Sequence, residues 1–387
     1  MKSRGVILSI LGVIFIAINL RAPLTSVSPV VNEIIAALNL NTLQAGLITT
    51  LPLLAFGCFS IFAPQMAAKF GLERVLWYSM PVLVLGLLAR ASGNLTLLFA
   101  GATLIGVAIT VGNVLMPAFI KLRFPHKMGL MTGINALSMN VVGVLASGFS
   151  VQIGLLTGWG WKGSVGIWAI PAIIGFLIWI PQLKPQGRQP ATALGSFSGM
   201  LRSPVAWYIT VFMGLQSCMF YVFVAWLPVV LQEWGMSREE AGWTFSYIQM
   251  TQLPITLFGP VITARVKKHT PLILFTTAVL LLGVVGLIVF KNLYVIPSVI
   301  CIGIGTGLAF SIVLMFFVLK TDTPQEAARL SGMAQSFGYL IAAASPPAFG
   351  LIYDWTSDWT YSLLLLIPLT LIMGAVALMS ARGKVRS

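Results

Sequence analysis

The sequence contains little charge and very few acidic residues. Charged residues make up 8% of the chain, and nine of them are Asp or Glu, whereas about a quarter of an average soluble domain is charged. Hydrophobic residues, by contrast, fill 58% of the 387 positions. A soluble fold of this length has too small an interior to bury so much apolar surface, which indicates that most of the chain lies in lipid.

Histidine and cysteine are also scarce. The chain has two histidines and three cysteines, and each cysteine stands alone within an apolar run. This pattern predicts buried packing cysteines and excludes a disulfide framework or a metal site with recognisable ligand spacing. The cysteines are Cys58, Cys218 and Cys301.

Motifs for catalysis and for nucleotide hydrolysis are missing from the sequence. The string Gly303-x-Gly305-x-Gly307 lies within an apolar run and follows no strand, so it indicates helix packing and not a phosphate-binding loop. A membrane-embedded enzyme would need clustered His, Asp or Glu near one face, and the sequence offers no such cluster. We therefore expect no cofactor, no metal and no enzymatic activity.

The net charge of +14 would suit a nucleic-acid partner if the bases formed a patch on a soluble domain. Instead, most basic residues lie in short loops between apolar runs, as the positive-inside rule describes. A cytoplasmic N-terminus puts most bases inside and leaves a few, including Arg90 and Lys162, at outer ends. We predict a multi-pass protein of the cytoplasmic (inner) membrane, with both termini cytoplasmic and no nucleic-acid partner.

Apolar runs long enough to cross a bilayer, about 20 residues each, recur along the chain. We predict twelve transmembrane spans at 6–32, 43–68, 74–92, 95–122, 129–156, 164–182, 204–232, 239–264, 271–290, 293–319, 326–353 and 359–381. A polar stretch with prolines, glycines and serines separates the sixth span from the seventh. The predicted organisation is a six-helix bundle at 1–182, a cytoplasmic linker at 183–203 and a second six-helix bundle at 204–387.

An internal repeat relates the two predicted bundles. A shift of 199 residues superimposes matching strings that include lysine, proline and glycine. Chance matches of single apolar residues are common in such chains, but matches of these residue types in one register are not. Parallel repeats of this kind are typical of transporters whose halves rock around a site near the bilayer midplane. The matched pairs are Ile105-Gly106 with Ile304-Gly305, Val114-Leu115-Met116 with Val313-Leu314-Met315, Lys121 with Lys320, and Pro125 with Pro324.

A loop near Pro64–Gly71 and its counterpart near Pro260 resemble the inter-helix motif of the major facilitator superfamily. In that motif a glycine, an aspartate, two basic residues and a second glycine latch the cytoplasmic side. The resemblance implies latch residues Lys69, Gly71, Arg74 and Arg265, although Ala68 stands at the acidic position. Lys121 and Lys320 are a repeat-related pair that is interpreted either as positive-inside anchors or as gating residues.

Longer strings resemble one family of that superfamily, the cyanate/2-nitroimidazole permeases. The resemblance implies the major facilitator fold, all-α with twelve transmembrane helices in two pseudo-symmetric six-helix bundles. It also implies transport of a cyanate-like anion or a 2-nitroimidazole-like compound. The strings are Leu20-Arg21, Thr49–Phe56, Gly112–Pro117 with Ile120-Lys121, Trp226-Leu227-Pro228, and Leu330–Ser336 with Gly338-Tyr339-Leu340.

Arg21 is the one base that belongs to neither side of the membrane. It lies about 15 residues into the first span, or roughly 22 Å along a helix, and no span carries a carboxylate in its middle. In the functional interpretation its planar fork of donors holds an anionic solute in a wet cavity. In the structural alternative, carbonyl groups near Pro23 and amide side chains hold it. Pro23 and Pro29 also predict a bent or broken first span.

Other polar and aromatic residues near mid-span complete the candidate substrate site. An amide in lipid must find a partner, so inter-helix hydrogen bonding is the structural alternative for each amide. The aromatic members have a second interpretation, as anchors at the membrane interface. The candidates besides Arg21 are Asn19, Asn113, Gln216, Gln249, Gln252, Gln335, Tyr339, Tyr221 and Trp226.

These features together predict a secondary active transporter that moves a small anionic or polar planar solute by alternating access. The lack of a mid-span carboxylate argues against a proton relay through Asp or Glu, while protons could still couple through the substrate. The expected partners are the solute and the lipid bilayer, and we expect a monomer. Two alternative functions are left open by the sequence: a multidrug efflux pump for neutral or cationic compounds, and a membrane sensor or scaffold without transport.

Overall fold

The computed structural model describes residues 3–40, 42–183 and 197–385, and the regular structure within these ranges is helical. Ten helices come before the predicted linker: α1 (Ser3–Thr25), α2 (Val31–Leu38), α3 (Thr42–Phe59), α4 (Phe62–Phe70), α5 (Leu72–Ala91), α6 (Leu95–Arg123), α7 (Met128–Gly148), α8 (Ser150–Thr157), α9 (Trp161–Gly166) and α10 (Ala169–Trp179). Eight more α-helices come after α10: α11 (Phe197–Arg202), α12 (Pro204–Glu233), α13 (Arg238–Arg265), α14 (Thr270–Phe290), α15 (Val295–Leu319), α16 (Pro324–Thr356), α17 (Trp359–Leu364) and α18 (Leu366–Ala381). Most of the predicted linker lies outside the described residues, and its described end forms α11.

Helices occupy all twelve predicted spans. Within the described ranges, nine helical segments are long and apolar enough to cross a membrane, and the bent pair α3–α4 makes a tenth. Helices α13 and α16 have 28 and 33 residues, and at 1.5 Å per residue both are about 40 Å long or more. Many apolar side chains are exposed, among them Leu156 at 87%, which is expected of helices that face lipid.

The first two predicted spans are interrupted, each for a local reason. The first span ends its α-helix at Thr25, just after Pro23, and continues through a 3-10 turn at Ser28–Val30 into α2. The second span bends by 59° between Phe59 and Phe62. There the Ser60 hydroxyl donates to the Phe56 carbonyl oxygen at 2.5 Å, and Pro64 has no N–H to donate to the Ser60 carbonyl oxygen.

The internal contacts of the chain divide it into two compact units. The first comprises Met1–Lys127, Ile134–Gly195 and Thr323–Gly332, and the second comprises Met128–Gly133, Ser196–Asp322 and Met333–Ser387. Most of α7 therefore belongs to the first unit and most of α16 to the second.

The two units repeat the same close helix crossing. In the first unit, a Cβ added to Gly86 on α5 would lie 3.0 Å from the Gly101 carbonyl oxygen and 3.0 Å from the Ile105 nitrogen on α6. In the second unit, a Cβ on Gly283 of α14 would lie 2.8 Å from the corresponding atoms of Ser298 and Ile302 on α15. Each of these pairs is 197 residues apart, two fewer than the offset of the matched strings. The contacts support the pseudo-symmetry predicted from the repeat.

The small residues singled out in the sequence have packing roles, but the cysteines differ from one another. Cβ atoms added to Gly303, Gly305 and Gly307 would each meet a neighbouring helix within about 3 Å, which agrees with helix packing. All three cysteines are free thiols. Cys218 is buried and Cys301 half-buried, but the prediction of burial is wrong for Cys58, which is exposed on α3.

Candidate functional site

Arg21 lies in the first unit at the packing of α1 against α7. Its side chain is half-buried, and a Cβ added to Gly143 would lie 2.8 Å from the Arg21 Cγ atom. Only a glycine at this position lets the arginine stem pack on the α7 backbone. Gly143 is close to the middle of the stretch that α7 and α8 cover, Met128–Thr157. This contact places the base well away from either end of that stretch.

A second contact places Asn113 near the same level of α1. A Cβ on Gly112 of α6 would collide with the Leu20 side chain and lie 3.5 Å from Ile16. Gly112 is near the middle of the 29-residue helix α6. Arg21 and Asn113 therefore each follow, by one residue, a position at which the Leu20 side chain of α1 packs on the backbone of α6. Both side chains also take part in interactions within the fold.

Asn19 acts as a link between helices. Its side chain is 1% exposed, and its amide nitrogen donates to the Phe15 carbonyl oxygen at 2.7 Å and to the Pro171 carbonyl oxygen on α10 at 3.1 Å. Its Oδ1 atom is buried without a hydrogen-bond partner among the described residues. Asn19 thus makes the inter-helix hydrogen bond that was the structural alternative, and it ties α1 to α10 half a turn before Arg21.

Three predicted amides of the second unit lie on two helices, α12 and α13. Gln216 on α12 is 5% exposed and donates to the Ser217 hydroxyl at 2.9 Å. Gln252 on α13 is 8% exposed and donates to the Thr306 hydroxyl on α15 at 2.8 Å. Gln249, one turn earlier on α13, is half-buried. Hydrogen bonds within the unit thus engage two of these three side chains.

Two further candidates of the second unit lie on α16. Gln335 is 3% exposed and Tyr339 is half-buried, and both take part in interactions. Gly338, the neighbour of Tyr339, forms a close crossing with α12, because a Cβ there would lie 3.2 Å from the Gly214 nitrogen. This crossing brings the part of α16 that carries Tyr339 beside the part of α12 that carries Gln216.

Trp226 lies in an aromatic cluster at the carboxyl end of α12, and Tyr221 lies outside that cluster. The Trp226 indole donates to the Pro346 carbonyl oxygen at 2.8 Å, and its ring centroid is 5.0 Å from that of Trp359. Tyr353 stacks on Trp359 at 4.1 Å, and the Trp359 indole donates to the Glu233 carboxylate at 2.7 Å. These contacts give Trp226 a packing role, whereas half-buried Tyr221 has its ring centroid 5.5 Å from that of its neighbour Phe220.

The predicted latch residues are mostly exposed. Lys69, Arg74 and Arg265 are all solvent-accessible at helix ends, and the Lys69 ammonium lies 5.2 Å from the centroid of the Phe70 ring. Gly71 ends α4 with a φ of +90°, a conformation that favours glycine. The glycine therefore shapes the tight connection from α4 to α5.

The repeat-related lysines differ in their surroundings. Lys121 is half-buried on α6, whereas Lys320, just after α15, is 8% exposed and donates to the Ala381 carbonyl oxygen. The Lys320 carbonyl oxygen in turn accepts from the Val385 nitrogen at 2.8 Å. Burial lowers the pKa of the Lys320 ammonium below its ordinary value. Lys320 thus fastens the end of α18 and the residues after it, and it is not an exposed anchor.

Sequence reasoning missed two features of the first unit. Arg90 was counted as a base at the outer end of the third span, but its side chain is 1% exposed, and its Nη1 atom donates to the Pro23 carbonyl oxygen at 2.7 Å. The carbonyl group expected to hold Arg21 therefore binds Arg90. The second feature is an ion pair between Glu73 and Arg123 at 2.9 Å. Opposite charges at the start of one span and the end of the next were a signal that could have revealed the pair.

Comparisons with known proteins agree with this architecture. Three bacterial relatives match over nearly the full length of both chains. The uncharacterized transporter YycB of Bacillus subtilis is 41% identical over 97% of this chain and 94% of its own length. The 2-nitroimidazole transporter of Escherichia coli is 34% identical over 99% and 98%, and the cyanate transport protein CynX of Escherichia coli is 26% identical over 94% and 95%.

Solved structures add the fold. The Escherichia coli fucose:proton symporter FucP superimposes with a TM-score of 0.77 at 13% identity, covering 97% of this chain and 99% of that one. At this identity the likeness shows the fold alone. The sequence model of the Major Facilitator Superfamily matches residues 9–346. With its helical repeat, its apolar spans and its full-length transporter relatives, the chain belongs to the Major Facilitator Superfamily and is a multi-pass membrane transporter.

Proposed function

We propose that this transporter moves a small anionic or polar planar solute across the cytoplasmic membrane by alternating access, with Arg21 as the solute anchor. Asn113 is the neighbouring donor or acceptor in the first unit, and Gln249, Gln335 and Tyr339 are the candidates in the second. The names of the relatives support this solute class, because one transports 2-nitroimidazole and another transports cyanate. Cyanate would suit a lone guanidinium, and the oxygens of a nitro group accept hydrogen bonds.

The distribution of charge carries the proposal. Each of the nine acidic residues lies in the first or last turn of a helix or in a connection between helices. Arg21, in contrast, lies before the last turn of α1 and contacts the middle of its neighbour. A guanidinium in the membrane interior is costly and is usually functional. A base within a span favours anions over cations when the acidic residues lie at the helix ends.

Arg21 and Asn113 already take part in interactions within the fold. A solute would have to exchange with those interactions. A bidentate bond from a guanidinium to a planar acceptor is stronger than a bond between neutral groups, so an anionic or nitro group could compete successfully. Asn19 supports the anchor from one side, since it fixes α1 on α10.

The remaining parts of the proposal concern the cycle and the membrane. The two six-helix halves, 1–182 and 204–387, would rock around the site, with 183–203 as the cytoplasmic linker between them. Lys69, Gly71, Arg74 and Arg265 would form the cytoplasmic latch, and both termini would lie in the cytoplasm. The protein would work as a monomer, with or without coupling to protons.

The test is ligand binding to the purified protein and to its Arg21→Ala and Arg21→Lys variants. The panel holds cyanate, nitrate, 2-nitroimidazole and cationic drugs, and binding is read as thermal stabilisation and as flux into proteoliposomes. A lost hydrogen bond to a charged group costs about 1.5–3 kcal/mol, so Arg21→Ala should weaken binding about 10- to 100-fold. The control is Lys162→Gln, which removes an exposed base.

Two results would contradict the proposal. If Arg21→Ala binds the anion or the nitro compound as tightly as the native protein does, Arg21 is not the anchor. If only cationic drugs stabilise the protein, the solute class is wrong and the multidrug alternative takes its place.

A further inference from the structure

Arg90 is a second cationic side chain in the first unit that has no surface role. It lies in the last turn of α5, is 1% exposed and is among the largest fully buried side chains in the described part of the chain. Taking a guanidinium out of water is expensive, and the expense is recovered only when its donors are well occupied. Among the described residues, however, its Nε and Nη2 atoms have no hydrogen-bond partner. Burying this residue therefore needs an explanation beyond the stability of the fold.

Among the described residues, the hydrogen bond that Arg90 makes is directed at the end of α1. Its Nη1 atom donates to the Pro23 carbonyl oxygen at 2.7 Å, in the last turn of a helix that ends at Thr25. The last carbonyl groups of a helix lack partners within the helix, and they form the negative end of its dipole. A buried cation at this place satisfies one of these groups and stabilises the end of the helix.

The Arg90 guanidinium extends to α1 from a closely packed part of the α5 backbone. The α5 backbone at Arg90 packs directly on α6, because a Cβ added to Gly101 would lie 2.6 Å from the Arg90 nitrogen. A second bond holds the chain just beyond α1, where the Ser150 hydroxyl donates to the Ser26 carbonyl oxygen at 2.6 Å. The end of α1 is thus fixed from α5 and from α8.

We propose that Arg90 is a positioning residue for the solute site, because it fixes the last turn of α1 and thereby the placement of Arg21. Arg21 precedes Pro23 by two residues, which is about 3 Å along the helix axis. Any shift of the Pro23 carbonyl group moves the backbone that carries Arg21. The inference rests on the proposed function only in its choice of Arg21 as the solute anchor.

The test uses variants of the full-length protein with two independent readouts. Arg90→Met keeps an unbranched apolar stem but removes the charge and the donors, whereas Arg90→Lys keeps a basic group that can donate. Hydrogen–deuterium exchange of segment 24–28 reports how firmly the end of α1 is held. The dissociation constants of cyanate and 2-nitroimidazole report the site, and Lys162→Gln is again the matched control.

Arg90→Met should raise the exchange rate of segment 24–28 about tenfold and weaken binding of the responding ligand about tenfold, the equivalent of one lost hydrogen bond. Arg90→Lys should stay within about threefold of the native protein in both readouts. If Arg90 acts through Arg21, then Arg21→Ala combined with Arg90→Met binds no more weakly than Arg21→Ala alone. If Arg90→Met does not fold, Arg90→Gln replaces it.

Unchanged exchange in the Arg90→Met protein would overturn the proposal, whatever the ligands do. An affinity loss that adds fully to that of Arg21→Ala would overturn it too, because Arg90 would then act independently of Arg21. If the proposed function itself is wrong, the result is different: the Arg21→Ala protein binds every ligand as tightly as the native protein does. In that case the exchange measurement alone decides whether Arg90 holds the end of α1.

Discussion

Replacing Gly101 by alanine should force α5 and α6 apart. A Cβ at this position would lie 2.5 Å from the Gly86 carbonyl oxygen and 2.6 Å from the Arg90 nitrogen. Both atoms belong to the backbone of α5, so no side-chain rotation can relieve the contact. Carbon atoms in contact prefer separations of about 3.5–4.0 Å, and the two helices would therefore have to separate by nearly 1 Å.

The expected cost follows from two opposing terms. Overpacking a close-packed contact costs about 1–3 kcal/mol, and in lipid such close contacts between small residues drive helix association. Alanine is in turn favoured over glycine within a helix by up to about 1 kcal/mol. The net loss for Gly101→Ala should be about 1–2 kcal/mol of unfolding free energy.

Thermal unfolding of the purified protein in a single detergent measures this loss, with two matched glycines for comparison. Gly283→Ala, at the corresponding crossing of the second unit, should also destabilise, but less, because its Cβ would lie 2.8 Å from backbone atoms. Gly242→Ala on α13 has nothing within 4 Å and should be neutral or slightly stabilising. If Gly101→Ala unfolds at the same temperature as Gly242→Ala, the close crossing does not determine the packing of α5 on α6.

Two further substitutions test contacts that hold each unit together. Glu73→Gln leaves the Arg123 guanidinium, 8% exposed, without its carboxylate and should lower the unfolding free energy by about 1–3 kcal/mol. Adding Arg123→Met should restore much of this loss. If thermal unfolding shows that the two losses add, the ion pair does not stabilise the unit. Trp359→Phe removes the indole donor to the Glu233 carboxylate and should lower the unfolding free energy by about 1.5–3 kcal/mol, whereas Trp355→Phe, at a side chain 80% exposed, is the control and should change little.

The helices were predicted from hydropathy, but among their interruptions only the break in the first span was predicted. An apolar run of about 20 residues must be helical in lipid because each backbone polar group needs a partner within the segment, so every predicted span contains helix. The bend after Phe59 falls where the Ser60 hydroxyl donates to the Phe56 carbonyl oxygen and where Pro64 lacks the N–H that would continue the helix. The proline was a signal in the sequence, but the second span was predicted as unbroken. The prolines of the first span gave a signal, and the break there was predicted.

The candidate site was predictable only in part, because position in a span says little about burial. Arg21 was conspicuous because it lies far from both predicted ends. Arg90 lies two residues before a predicted span end, where a long base ordinarily extends to the interface, and its bond to Pro23 joins residues 67 apart. The packing role of Trp226 could not be predicted for the same reason, because its contact with Trp359 joins α12 to α17, which are far apart in sequence.

The charge of the solute determines what this transporter can do without a coupled ion. The described helices carry their carboxylates at their ends, so no acidic side chain is placed to relay protons through the middle of a span. An anion that crosses an inside-negative membrane gains about 2.3 kcal/mol per 100 mV on the way out and loses as much on the way in. At equal concentrations on both sides, uncoupled transport of an anion anchored by Arg21 would therefore favour export. Uptake would require either an inward concentration gradient large enough to offset the potential or a proton that travels with the solute. The membrane potential does not affect the transport of a neutral nitro compound. The same site could therefore export an anion and import a neutral nitro compound.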